Sequence, residues 1–105
     1  MRIFLSVEIP NTQGNEAIKS GSMPRVMKDF MEKHRPEAAY FITSTNGNRN
    51  AHFYLDLKDV SYMPVIAEPF FSELGAKIVW CPAMNADDLK KGLEMLGSAS
   101  AVGAR

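Results

Sequence analysis

Residues 23–34, Met23-Pro24-Arg25-Val26-Met27-Lys28-Asp29-Phe30-Met31-Glu32-Lys33-His34, and residues 63–74, Met63-Pro64-Val65-Ile66-Ala67-Glu68-Pro69-Phe70-Phe71-Ser72-Glu73-Leu74, carry one pattern twice, forty positions apart. Met23, Val26, Met27, Phe30, Met31 and His34 recur at i, i+3, i+4, i+7, i+8 and i+11, and so do Met63, Ile66, Ala67, Phe70, Phe71 and Leu74. Each set is one apolar stripe of a helix, with Pro24 or Pro64 in its first turn. A strand-like run precedes each helix and another follows it, Tyr40 in one half answering Trp80 in the other. The chain reads as two βαβ halves.

Around these helices the remaining elements fall into place. Ile3, Leu5, Val7 and Ile9 alternate with Arg2, Phe4, Ser6 and Glu8, which predicts a strand with one apolar face. Pro10 to Asn15 reads as a break, with Asn15 capping a short turn over Glu16–Lys19 before Gly21. Ser22 is the expected cap of the first main helix, which stops near Arg35-Pro36 because a residue preceding proline is disfavoured in the α region. Ala38–Thr45 and Asn50–Leu57 are predicted strands joined through the Asn46-Gly47 hairpin signal. The second helix, capped by Asp59 or Ser61, ends at Gly75, and Pro69 within it is expected to kink it. Lys77–Pro82 is the fourth strand. A third helix starts at Asn85 with Asp88 as its capping-box acid, shows the stripe Leu89, Leu93 and Leu96, and is expected to stop at Gly97. Residues 1–97 then form one domain and residues 98–105 a flexible tail.

Right-handed crossovers make the two βαβ units interleave. The expected fold is α+β, a ferredoxin-like βαββαβ sandwich with a C-terminal helix, its antiparallel sheet ordered 4-1-3-2 and both main helices on one face. The other face presents Phe4, Ser6 and Glu8 from the first strand and His52, Tyr54 and Asp56 from the third. A register pairing Ser6 with Tyr54 sets Glu8 opposite His52 and Phe4 opposite Asp56. A face of this kind is commonly covered by a second copy of itself.

The order of elements and the length resemble the dimeric α/β-barrel superfamily, in which two ferredoxin-like subunits pack sheet to sheet. Locally, Pro36-Glu37-Ala38-Ala39-Tyr40-Phe41, the Gly47-Asn48-Arg49 turn, Asp59 through Ala67-Glu68-Pro69-Phe70-Phe71, and Pro82-Ala83-Met84 with Asp88-Leu89 are similar to a bacterial branch of it with no assigned activity. The similarity spans roughly residues 1–96 and rests on turns and helix faces. It implies a homodimer through the sheet face. Relatives in the wider superfamily include isomerases, cofactor-independent monooxygenases and haem-degrading enzymes, and none of their catalytic patterns maps onto this chain residue by residue.

Composition narrows the classes. Twelve basic and twelve acidic side chains cancel, so no global charge draws the chain to nucleic acid or to an anionic membrane. A single cysteine, Cys81, excludes an internal disulfide and a multi-cysteine metal site, and a buried thiol is the default reading for it. A reducing cytoplasm is the simplest compartment. The N-terminus enters a strand pattern at once, with no basic region or long apolar run, and no signal peptide or membrane span is expected. No metal spacing appears, since two distant histidines and scattered carboxylates match no ligand motif.

Three groups of residues are candidates for chemistry. Glu8 and His52 form a carboxylate–imidazole pair suited to acid–base work, or an inert cross-strand ion pair. His34, standing where the second helix has Leu74, either lines a helix–sheet pocket or caps its helix at the negative end of the dipole. Tyr40 and Tyr54, with Trp80, supply polar handles on aromatic bodies for a small organic ligand, or pack as core and interface. Gly14-Asn15 is a weak anion-binding signal, matching neither phosphate-loop motif. Three functions follow as expectations. The first is a homodimeric barrel binding, or transforming without a cofactor, a small organic molecule in a helix–sheet pocket. The second is a purely structural dimer. The remote third is single-stranded RNA binding on Phe4 and Tyr54, opposed by Glu8, Asp56 and zero net charge.

Overall fold

A computed structural model describes residues 1–103, with side chains described as far as Ser98. Its elements are β1 (Arg2–Ile9), α1 (Asn11–Ser20), α2 (Ser22–His34), β2 (Ala38–Thr43), β3 (Arg49–Asp56), α3 (Tyr62–Leu74), β4 (Lys77–Pro82) and α4 (Ala86–Gly103). The protein is α+β, with one antiparallel sheet ordered β2-β3-β1-β4, which is 4-1-3-2 read from the opposite edge. This arrangement is compatible with a ferredoxin-like sandwich.

The alternation in β1 sends Ile3, Leu5, Val7 and Ile9 to one side, and all four are buried. Ala51, Phe53 and Leu55 of β3 join them, and the stripes of α2 and α3 close the layer through Val26, Phe30, Ile66, Phe70 and Leu74. Three rings form its centre, Phe30 lying 4.3 Å from Phe53 and 5.2 Å from Phe70 between centroids. Full burial of such side chains stabilises by about 1.5–3 kcal/mol each. Arg25 Nη2 and Glu73 Oε2, 2.9 Å apart, tie α2 to α3 at the surface.

The helix ends follow local chemistry. Arg35 adopts a left-handed conformation (φ 43°) directly before Pro36, and its N–H donates to the Met31 carbonyl. Gly75 (φ 58°) ends α3, its N–H donating to Phe71 and that of Ala76 to Phe70. The reciprocal box of α4 is present: Asn85 N–H donates to Asp88 Oδ2 (3.0 Å) and Asp88 N–H to Asn85 Oδ1 (2.8 Å).

Four expectations are corrected. The break at 10–15 is instead the first turn and a half of α1, with Pro10 at its N-cap. Gly14 and Ala17, three apart, turn a side-chain-poor edge inward, and a Cβ at Gly14 would meet Arg49 Nη1 at 2.8 Å. Close approach, not periodicity, holds α1 down. Gly21 and not Ser22 occupies the N-cap of α2. Gly97 does not stop α4, which continues to Gly103; part of the expected tail is thus helical, and residues 104–105 lie outside the described residues. Tyr40 and Trp80 do not correspond, because Tyr40 pairs with His52 and Trp80 with Leu5, on opposite faces of the sheet.

Candidate functional site

The register of the sheet assembles the face opposite α1–α3 in rows. One row runs Ala38, Tyr54, Phe4, Cys81, the next Tyr40, His52, Ser6, Val79, and the third Ile42, Asn50, Glu8, Lys77. Directly paired residues point to the same side. The middle of this face is therefore aromatic and weakly polar, and the full charges stand in the third row and at Arg2 and Asp56 beyond the first.

Phe4 organises the centre. Its ring meets His52 edge-on at 5.0 Å between centroids and Tyr54 at a tilt of 37° and 5.2 Å. Both are favourable geometries for aromatic pairs. Phe4, Ser6, His52 and Tyr54 are half-buried, whereas Tyr40 on the edge strand is 62% exposed. Ser6 Oγ donates to Asn50 Oδ1 at 3.1 Å, giving the buried Asn50 side chain a partner.

The expected pairing of Glu8 with His52 is corrected. Glu8 lies opposite Asn50, Ser6 opposite His52 and Phe4 opposite Tyr54, a shift of two positions that keeps every residue on its expected face. The Glu8 carboxylate accepts from Asn46 Nδ2 at 3.2 Å, and the His52 ring packs on Phe4. The sheet does not bring the two candidate acid–base groups together.

His34 and the two tyrosines are also separated. His34 lies on the helical side, its ring 5.3 Å from Phe30, and lines a groove of about 770 Å³ between α2 and α3 with Asp29, Glu32, Lys33 and Pro69. Burial, and secondarily Lys33, push the His34 imidazole below its ordinary pKa. That opposes a charged capping role. Tyr40 and Tyr54 occupy the other side of the sheet, and the space between helices and sheet is filled by Phe30, Phe53 and Phe70.

Cys81, expected buried, is exposed on the open face at the end of the Phe4 row. It stands on the edge strand β4, on the face opposite α1–α3. Asn15, expected as a cap, accepts from Arg49 Nη2 at 3.1 Å. A charged cluster missed in the sequence lies at the rim of the open face. Arg2 Nε donates to Glu37 Oε1 (2.5 Å) and Arg2 Nη1 to Asp88 Oδ2 (3.4 Å), joining β1, the approach to β2 and the root of α4. Nearby, Asp56 accepts from Lys58 Nζ and from the Met1 amino group, which together depress its carboxyl to about 2. Contacts among residues 2, 37 and 88 leave no periodic trace in a sequence.

Among the described residues no three His, Cys, Asp or Glu side chains converge as a metal site, and no helix is long and apolar enough to cross a membrane. The chain matches no family model, no curated protein and no solved structure.

Proposed function

We propose that the protein is a homodimer of the dimeric α/β-barrel type, its two sheets packed through their open faces around a site for a small organic molecule. The observation that carries this reading is the aromatic centre of the open face, where Phe4, His52 and Tyr54 pack on one another opposite the helices. A second copy packed face to face would enclose this centre, and gaps in the packing between the aromatic side chains of the two sheets would receive small flat molecules. Tyr40, Tyr54, Ser6 and His52 then provide hydroxyl and imidazole contacts within ring-lined walls, the mixture that suits small organic ligands. On this reading Tyr40 and Tyr54 are the ligand-binding residues and His52 the acid–base candidate, acting without Glu8. The groove beside His34 is a separate surface.

The test is titration of the protein with phenol, followed through the ring resonances of His52 and Tyr54. Saturable shifts lost in Tyr54→Ala are expected. Shifts confined to His34, or none, contradict a site on the sheet face.

A purely structural dimer is the second reading. It is favoured by the hydrogen bonds that already occupy Glu8 and Asn50, which leave fewer free polar groups for a substrate.

A further inference from the structure

We infer that α4 is an exchanged arm, whose leucine stripe packs on the body of a second copy of the chain; this rests on the sheet-face dimer proposed above. A chain of 105 residues folded compactly has a radius of gyration of about 13 Å. Here it is 17.7 Å, with a longest extent of 63 Å. The excess is α4, 18 residues and hence about 27 Å long. Leu89, Leu93 and Leu96 lie at i, i+4 and i+7 on one face of it and are 48%, 56% and 65% exposed. Among the described residues they are left about half or more open to solvent.

The arm is held at its root. Asp88 closes the capping box with Asn85 and also accepts from Arg2, which in turn grips Glu37. Arg2 pairs with Asp56 and so belongs to the open face of the sheet. The helix therefore leaves the body at the rim of the surface that the dimer would cover. Its diameter of about 10 Å equals the spacing of two stacked sheets, so an arm starting at that rim stands level with the partner.

Area favours the same occupant. Four strands at about 4.8 Å spacing and six residues of about 3.4 Å give a projected sheet footprint near 400 Å². One arm given and one received, each about 27 Å by 10 Å in projection, more than double that footprint and so favour a stable interface between two copies. A receiving surface also exists at the β2 edge, where Ile42 on the open-face side and Phe41 on the helical side are 43% and 61% exposed, both uncharged on an edge that needs cover. A twofold axis along the strands places the β4 edge of one copy over the β2 edge of the other, which brings the root of α4 to this surface.

The test is the self-association constant of the full chain by light scattering over a dilution series, for wild type, Leu89→Glu/Leu93→Glu and Tyr54→Asp. The leucine variant is expected to weaken association by roughly 10²-fold or more with unchanged near-ultraviolet circular dichroism. Wild-type affinity in that variant overturns the arm, and if Tyr54→Asp dissociates meanwhile, the sheet-face dimer stands alone. Dissociation in the leucine variant with a persistent Tyr54→Asp dimer retains arm exchange and overturns the sheet-face reading. A monomeric wild type overturns both. Should the leucine variant unfold, hydrogen exchange of wild-type residues 86–96 decides: protection that disappears on dilution supports exchange, and its absence at every concentration overturns it.

Discussion

Phe4 and Tyr54 stand directly opposite each other on β1 and β3, their rings 5.2 Å apart on the side of the sheet away from α1–α3. A two-residue slip in either direction would separate them and pair Phe4 with His52 or Asp56 instead. The register thus decides which side chains form the centre of the open face.

A double-mutant cycle measures this register. Phe4→Ala with Tyr54→Ala is expected to show a coupling of about 0.5–1 kcal/mol, as cross-strand aromatic pairs do. Glu8→Ala with His52→Ala is expected to couple by less than about 0.3 kcal/mol, because Glu8 is held by Asn46 and His52 by Phe4. Chemical denaturation of the four single and two double variants supplies the values. Strong coupling of Glu8 with His52 contradicts the register.

The titration of His34 is expected to appear in the stability of the fold. Its imidazole is lowered from 6.5 by burial, so the unfolded chain binds its proton at higher pH than the folded one. Stability from this residue is complete above pH 6.5 and declines as the pH falls through the unfolded value towards the depressed folded one. His34→Leu, the residue found at the equivalent position of α3, removes that decline. Thermal melts of both proteins between pH 7.5 and 5.5 check it, and parallel curves would contradict it.

Gly75→Ala is expected to cost about 1 kcal/mol or more. The backbone there has φ 58°, and a Cβ would lie 3.1 Å from the Gln13 side chain of α1. Denaturant midpoints at constant m-value give the number. Gly21→Ala meets the strain of φ 84° but no neighbour within 4 Å, so its cost is expected to be smaller.

Much of this architecture was legible in residues 23–34 and 63–74, because helices packed on a sheet must show their apolar stripe at helical spacing. Alternation likewise identified both faces of β1 and β3. What escaped detection depends on distant contacts. α1 is polar and contains a glycine, and what seats it is contact with distant residues: Ala17 enters the core, and Gly14 lies against Ile9 and Arg49. β1 and β3 are not joined by a hairpin, so no turn fixes their register, and a shift of two preserves the hydrophobic pattern. A mid-helix glycine costs only about 1 kcal/mol, which is why Gly97 failed as a stop signal. The open face itself was visible in sequence, but the Phe4–His52–Tyr54 centre was not, since it exists only in the observed register.

Substitution of His52 separates binding from assembly. His52→Ala is expected to abolish phenol-induced shifts at Tyr54 while weakening the dimer less than Tyr54→Asp does, because it removes ring contacts without placing a carboxylate in the interface. Analytical ultracentrifugation beside the titration checks both halves.

The proposed meeting of two open sheet faces is read from the solution mass of wild type beside that of Tyr54→Asp. A wild-type mass of twice 11.7 kDa that falls to 11.7 kDa in a folded Tyr54→Asp protein is the expected result. A wild-type monomer, or a dimer indifferent to a carboxylate at position 54, contradicts it.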